Sequence, residues 1–229
     1  MTELTAEELL IRGRDLEALE GMVAALHDQR CQAATTTTTA TMNGEHMDGV
    51  QQLDKVVPLL RDVVGQVTAA QYDLPTPCVA FTVQGVLEHM IGGATTFGPA
   101  FRGAPSPQPV PAEGDTLERW QAAMTELLAA VHSPGARERT IASPFGSLPG
   151  EEFARYVAFD GLMHAWDLSR ATGVPVSAPA ELVAAVDEYA RTLIVAEMRD
   201  GDTFAAETQP AQGADDLDRL AAFTGRTTT

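Results

Sequence analysis

The stretch FARYVAFDGLMHAWDLSRATG, from Phe153 to Gly173, decides the fold, because it predicts one long helix that carries three ionisable side chains. No proline interrupts it, and Gly173 stands where glycine commonly follows a helix C-terminus. At about 100° per residue, Asp160, His164 and Asp167 fall within roughly 60° of one another. A carboxylate and an imidazole one turn apart can share a metal ion, or can form a hydrogen bond that supports a buried histidine. The helix alone does not choose between these two interpretations.

Composition and charge narrow the class of protein. The 229 residues are 45% hydrophobic, which is enough for a substantial core. The net charge of −17 argues against nucleic acid and anionic membranes as partners. No apolar run approaches the roughly 20 residues of a membrane span, and the N-terminus is acidic, so we expect a cytoplasmic protein. Cys31 and Cys78 lack the spacing of a disulfide scaffold or a thiolate zinc site.

The first 50 residues predict a separable extension. Thr5 and Glu8 have the spacing of a helix capping box, and an amphipathic pattern follows them. Five consecutive threonines, residues 35–39, then combine poor helix propensity with little apolar surface. We therefore predict an extra N-terminal helix and a Thr-rich linker over residues 1–50, and a helical bundle over residues 51–229.

The sequence that follows residue 50 predicts two helices and then a long loop. An apolar stripe indicates a helix of about 20 residues from Gln51, which a proline-bearing connector ends. Thr82 can cap the second helix. The paired glycines Gly92 and Gly93 inside that helix cost stability unless a backbone or a ligand packs closely against them. Residues 99–114 contain five prolines and predict a long loop.

The second half of the chain predicts further helices. Asp115 begins the third helix, and residues 136–150 are expected to form an irregular crossover with at most a short extended piece. After the central helix, another is predicted from about Ala180 to Arg199, and a short docking helix over Leu217–Phe223. With no convincing strand pattern, the sequence predicts an all-α protein in which three long helices surround the helix that carries Asp160.

His89 on the second helix is the natural third metal ligand beside Asp160 and His164, because bundles build metal sites from facing helices. Two histidines and one carboxylate leave coordination positions for water or substrate, as catalytic sites require. Asp167 is either a hydrogen-bond partner of a ligating imidazole or an ion-pair residue near the helix end. Zn²⁺ suits these ligands best, while Ni²⁺, Fe²⁺ and Mn²⁺ stay open on ligand type alone.

Two signatures in the sequence resemble a known family. The first is carried by Leu74-Pro-Thr-Pro-Cys78, Phe81-Thr-Val83, His89, Gly92-Gly93 and Phe97. The second runs from Asp160-Gly-Leu-Met-His164-Ala-Trp-Asp167 to Gly173. Together, over about residues 51–225, they resemble actinobacterial metal-binding proteins of the DinB-like superfamily, the group that includes mycothiol-dependent maleylpyruvate isomerase. Phe81 stands where relatives commonly have Trp.

The resemblance implies a four-helix bundle, often dimeric, in which three side chains hold a divalent metal ion. Carried over residue by residue, these are His89, Asp160 and His164. It also implies mycothiol as a thiol cosubstrate and a homodimer as the assembly. The chain after residue 200 is too short for the C-terminal domain of the isomerase, so maleylpyruvate is not the expected substrate.

The leading hypothesis is a metal-dependent S-transferase or isomerase that uses a low-molecular-weight thiol and acts on a small electrophilic substrate. The metal would lower the pKa of the thiol, while Asp167 and Tyr156 orient groups or transfer protons. A metal-dependent isomerase or cyclase of secondary metabolism, using Lewis-acid catalysis without a thiol, stays open. A non-catalytic metal- or ligand-binding module also stays open, and a fourth protein ligand such as His46 or Asp167 would favour it.

The other chemically capable residues are given structural interpretations. Cys78, at a helix entry, is expected to be a small buried side chain, with a reactive thiol as the alternative. His27, His46 and His132 are expected to be solvated. Trp120 and Trp166 are expected in the core or at a dimer interface. The sequence contains no nucleotide-binding glycine motif and no serine-hydrolase motif.

Overall fold

Six α-helices and one short hairpin form the part of the protein that the computed structural model describes, residues 47–105, 114–143, 146–199 and 204–228. The helices are α1 (Gly49–Val64), α2 (Val83–Arg102), α3 (Thr116–Val131), α4 (Gly150–Thr172), α5 (Ala180–Leu193) and α6 (Asp216–Phe223). The strands are β1 (Thr140–Ser143) and β2 (Gly146–Pro149), and single 3₁₀ turns lie at Ala69–Gln71 and Ala196–Met198. This architecture confirms the predicted all-α class. The predicted N-terminal helix, the threonine run, His27 and His46 lie outside the described residues.

The long helices pack as two pairs around one core. α1 runs along α4 and α2 along α3, and the pairs close on each other through their apolar faces. A Cβ atom at Gly161 would lie 2.9 Å from Val56 Cγ1 and 3.2 Å from Leu60 Cδ1. Glycine therefore lets α1 and α4 approach closely at this crossing. Trp120 and Trp166 are buried in the core, the first of the two positions predicted for them.

Capping side chains explain where α1, α2 and α3 begin. Thr82 Oγ1 accepts a hydrogen bond from the backbone of Gly85, and Asp115 caps α3 in the same manner, as predicted for both. α1 begins at Gly49, two residues before the predicted start, because Asp48 forms a capping box with Gln51. Gly173 follows α4 with φ 77°, in the left-handed conformation expected after a helix end.

Three helix ends differ from the prediction. α1 stops at Val64 instead of continuing for about 20 residues, because the chain turns at Gly65 and returns Val67 to the core. α2 continues through Pro99 into the predicted loop, since buried Phe101 anchors its last turn. α5 ends at Leu193 and not near Arg199, because the next residue leaves the helical region with ψ 87°.

The crossover before α4 contains a hairpin, where the sequence predicted an irregular segment with a short extended piece. β1 and β2 pair antiparallel, with Ile141 opposite Leu148. Each strand has four residues, and in β1 one side chain, Ile141, is buried. A pattern of alternating burial cannot be recognised in strands this short.

The C-terminal segment docks against the bundle through α6, which confirms the predicted docking helix. Trp166 Nε1 on α4 donates a hydrogen bond of 2.8 Å to Asp218 on α6, and Arg170 also pairs with Asp218. Burial alone would raise the pKa of Asp218, but these two donors hold it below its ordinary value. No helix among the described residues is long and apolar enough to cross a membrane.

Candidate metal centre

Two helices bring the three predicted ligands to one point. His89 projects from α2, and Asp160 and His164 lie one turn apart on α4. One side-chain nitrogen or oxygen from each lies within 4.8 Å of the others. Asp160 is central, because its Oδ2 lies 3.4 Å from His89 Nε2 and its Oδ1 lies 3.5 Å from His164 Nε2.

These separations fit a divalent metal ion. Ligand atoms about 2.1 Å from a tetrahedrally bound zinc ion are about 3.4 Å apart. The two separations above, which join different oxygens of Asp160, are close to this value, and one ligand atom from each of the three side chains lies within 4.8 Å of the others. Among the residues that the structure describes, this is the one cluster of three or more such side chains that could share an ion. The donor set of two imidazoles and one carboxylate suits zinc and several other first-row metals.

One side of the cluster is shielded and the other is open. The side chain of His164 is only 5% exposed, whereas those of His89 and Asp160 are 27% and 30% exposed. Phe81 packs its ring against both imidazoles, with ring centroids 5.1 Å from His89 and 6.1 Å from His164. A small molecule can therefore approach the cluster from the side of His89 and Asp160.

The electrostatics of the cluster favour a positive charge among its side chains. Burial alone would raise the pKa of Asp160, but the neighbouring imidazoles of His164 and His89 hold it well below its ordinary range. Burial alone would lower the pKa of His164, yet Asp160 and Asp167 raise it to about 9. Asp160 is therefore ionised at neutral pH, and a proton or a metal cation can compensate its charge.

Asp167 makes both of the contacts that the sequence left open, one with the imidazole of His164 and one with an arginine. It is completely buried, and its Oδ2 lies 3.1 Å from His164 Nδ1, which leaves Nε2 directed at Asp160. Arg226 donates to both carboxylate oxygens of Asp167 at 2.8 Å. Burial alone would raise the pKa of Asp167, but the bonds from Arg226 and His164 lower it. Both carboxylate oxygens of Asp167 already accept hydrogen bonds from Arg226, which argues against its being a fourth metal ligand.

Arg226 is the important residue of this site that the sequence did not reveal. It follows α6, 59 residues after Asp167, and its side chain is only 12% exposed. Its Nη1 also donates to Thr224 Oγ1 at 2.9 Å. No spacing pattern in the sequence marks it, because the contact depends on how the C-terminal segment docks.

The remaining candidates occupy different positions. Tyr156 lies one turn before Asp160 and lines a cavity that reaches the cluster. Burial and the Asp160 carboxylate raise the pKa of Tyr156, which keeps its phenol protonated. Cys78 is half-buried, and burial raises the pKa of its thiol, which argues against a reactive thiolate. His132 is exposed and lies 2.8 Å from Asp54, as expected for a surface histidine.

Comparison with known proteins gives one family and two relatives. The profile of the family described as "Mycothiol maleylpyruvate isomerase N-terminal domain" matches residues 53–169, a range that contains all three candidate ligands. Two uncharacterized proteins of Mycobacterium tuberculosis, one from each of two strains, are 34% identical to this chain over 183 residues. The matched region covers 79% of this chain and 99% of each relative. No solved structure matches the chain.

Proposed function

Because the chain belongs to the mycothiol maleylpyruvate isomerase N-terminal domain family, we propose that it is a metal-dependent enzyme that uses a low-molecular-weight thiol on a small electrophile. Membership confirms the resemblance that the two sequence signatures indicated. The observation that carries the proposal is the convergence of His89, Asp160 and His164 from two helices, with spacings that suit a shared metal ion. The use of a thiol is supported by the description of the family, which names mycothiol.

In this proposal His89, Asp160 and His164 hold the metal. A divalent metal ion, when bound, supplies a positive charge that lowers the pKa of a nearby thiol and favours the nucleophilic thiolate. Asp167 fixes the ring of His164 through Nδ1, and Arg226 fixes Asp167. The mechanism thus depends on a ligand set that is oriented before any substrate binds.

Other side chains act on the substrate and the solvent. Tyr156 remains protonated, so its hydroxyl can donate a hydrogen bond to a polar group of the electrophile. Phe81 covers both imidazoles and limits the access of water from its side. In transfer to a haloarene, the thiolate sulfur forms a bond to the ring carbon and the halide leaves with the electron pair of the broken bond.

The test begins with elemental analysis of the purified protein and of the variants His89→Ala, Asp160→Ala and His164→Ala. We expect about one transition-metal ion per chain in the wild type and little in the three variants. His132→Ala is the matched control, because it removes a surface histidine that lies outside the cluster. Retention of the metal by all three ligand variants would contradict the assignment of the site.

Activity is then measured with a haloarene and with mycothiol or other small thiols. We expect metal-loaded wild type and His132→Ala to accelerate thioether formation and His89→Ala to do so at least 100-fold more slowly. Equal rates for the wild type and His89→Ala with every thiol would exclude thiol transfer to this electrophile class.

A second function is favoured by the apolar walls of the cavity that reaches the cluster. A metal acting as a Lewis acid could polarise the carbonyl group of an apolar substrate and promote isomerisation or cyclisation without a thiol. Metal-dependent turnover that continues after thiols are removed would favour this alternative over thiol transfer.

A further inference from the structure

A narrow apolar cavity leads from the candidate metal centre into the bundle, between α1, α2, α3 and α4. Three polar side chains, His89, Tyr156 and Asp160, contribute to its wall. Every other described residue that lines it is apolar or glycine, with Met90, Met124 and Leu127 among them. Such a wall stabilises an apolar group and offers only these three side chains as hydrogen-bond partners.

The cavity is about two helical turns long. Its wall includes His89, Gly93 and Phe97, which follow one another along α2 over about 12 Å at the rise of an α-helix. Beyond the metal centre, the Phe97 ring packs edge-on against Phe153, with ring centroids 4.8 Å apart. The partly exposed side chains of His89 and Asp160 lie at the end nearer the metal centre. The third polar side chain, Tyr156, lies one turn before Asp160, where its ring stacks on Phe153.

The cavity is also slim. Its volume is about 40 Å³, which is space for about three water molecules at about 10–15 Å³ each. A single aromatic ring or a short alkyl chain fits a cavity of this size after small adjustments of the flexible methionine side chains.

The charges around the cavity exclude a substrate that carries a second carboxylate inside it. No lysine or arginine is among the described residues that line the cavity, and Arg226 is already committed to Asp167 and Thr224. The metal centre can compensate one anionic or polar group beside it. A second carboxylate further inside would be desolvated without a partner, which is costly.

We propose that this cavity binds the body of an uncharged apolar substrate, a single ring or a short alkyl chain, whose reacting polar group lies at His89 and Asp160. The inference deepens the proposed function and rests on it for the reacting end. It assigns the electrophile to an apolar class and excludes dicarboxylates.

Two adjacent glycines provide a matched pair of variants. A Cβ atom at Gly93 would lie in the cavity wall, 3.4 Å from the Phe97 ring, in ordinary contact distance. A Cβ atom at Gly92 would have no neighbour within 4 Å, and Gly92 does not line the cavity. Gly93→Ala therefore narrows the cavity and Gly92→Ala does not, while both gain the same helix propensity.

The experiment titrates the purified protein with toluene and, separately, with maleate, following the methyl NMR signals of Met90 and Met124. We expect toluene to shift both signals, with similar affinity for the wild type and Gly92→Ala and about tenfold weaker affinity for Gly93→Ala. Maleate should not displace toluene. Absence of toluene binding, equal affinity of the two variants, or displacement by maleate would overturn the inference.

This measurement separates the inference from the proposed function. Toluene titration needs neither metal nor thiol, so a protein without thiol-transfer activity can still confirm an apolar cavity. Conversely, a protein that transfers thiols to charged electrophiles but does not bind toluene would retain the proposed function and lose the apolar substrate class.

Discussion

At the scale of single residues, the contact between Arg226 and Asp167 links the C-terminal segment to the candidate metal centre. The pair is bidentate and buried, and Asp167 also holds the ring of His164. Removing one partner of a buried ion pair leaves an uncompensated charge, and removing a group that orients a metal ligand weakens metal binding. We therefore expect Arg226 to affect both stability and metal affinity, although the bonds described connect it to no candidate ligand directly.

We predict that Arg226→Met lowers metal affinity about 10–100-fold and the free energy of unfolding by about 3–5 kcal/mol. Metal affinity is measured by competition with a chelator at a temperature where circular dichroism shows the variant folded, and stability by urea unfolding. Arg219→Met is the control, since Arg219 is exposed and its loss should cost less than about 1 kcal/mol.

A double variant separates the two roles of Arg226. Arg226→Met combined with Asp167→Asn removes both charges, so part of the lost stability should return. Metal affinity should stay low, because the asparagine amide oxygen is a weaker hydrogen-bond acceptor for His164 Nδ1 than the carboxylate, and Arg226 no longer holds it in place. Recovery of metal affinity together with stability would mean that Arg226 acts only on folding.

At the scale of elements, the crossing of α1 and α4 sets the position of two of the three candidate ligands. Gly161 follows Asp160 on α4, and its backbone lies against the side chains of Val56 and Leu60 on α1. Val56 is branched at Cβ and buried, so it cannot rotate away easily from an added methyl group. The close approach of these helices thus depends on a glycine inside α4.

We predict that Gly161→Ala destabilises the protein by about 1–3 kcal/mol, because overpacking outweighs the gain in helix propensity. Gly92→Ala, which adds a methyl group to open space on α2, should instead stabilise the protein by up to about 1 kcal/mol. Urea unfolding of both variants gives the comparison. An equal gain in stability at both positions would show that α1 and α4 are not tightly packed at Gly161.

At the scale of the whole molecule, residues 204–228, which follow α5, pack against α4 through α6. Asp218 on α6 accepts hydrogen bonds from Trp166 and Arg170 on α4. Arg226, which follows shortly after α6, donates to Asp167. The C-terminal end thereby becomes part of the structure that surrounds the candidate centre. The predicted division at residue 50 and the homodimer stay predictions.

We predict that Asp218 makes the docking of this segment dependent on pH. Its pKa is lower in the folded state than the ordinary 3.8, so its contribution of about 1 kcal/mol is present above pH 4 and is lost as pH falls through the lowered pKa. The stability difference between the wild type and Asp218→Asn should therefore shrink on acidification below about pH 4. A difference that stays constant through this acid range would contradict the prediction.

The local sequence was sufficient to predict the helical class and much of the candidate site. The caps Thr82 and Asp115 and the stop at Gly173 are local hydrogen-bonding and conformational features, so they could be predicted residue by residue. The common face of Asp160 and His164 follows from helical periodicity alone. Family resemblance, now confirmed, supported the choice of His89 and the four-helix arrangement.

Local rules failed where a distant contact outweighed them. Residues around Pro99 were predicted as loop, yet the burial of Phe101 carries α2 past the proline. A short extended piece was predicted in the crossover, but not the pairing of β1 with β2, because four-residue strands with little buried surface have no distinctive pattern. In both cases the deciding free energy comes from packing against other elements, to which periodicity is insensitive.

The sequence by itself determined that this protein is helical and that one helix presents a carboxylate and an imidazole on a single face, because both depend on neighbours within one or two turns. Only the tertiary structure decided that His89 reaches them within 4.8 Å, that Arg226 secures Asp167, and that an apolar cavity reaches the same point. These features arise from the crossing of α1 with α4 and from the return of the C-terminal segment. Such contacts join residues far apart in the chain, and their geometry follows from the packing of the whole core.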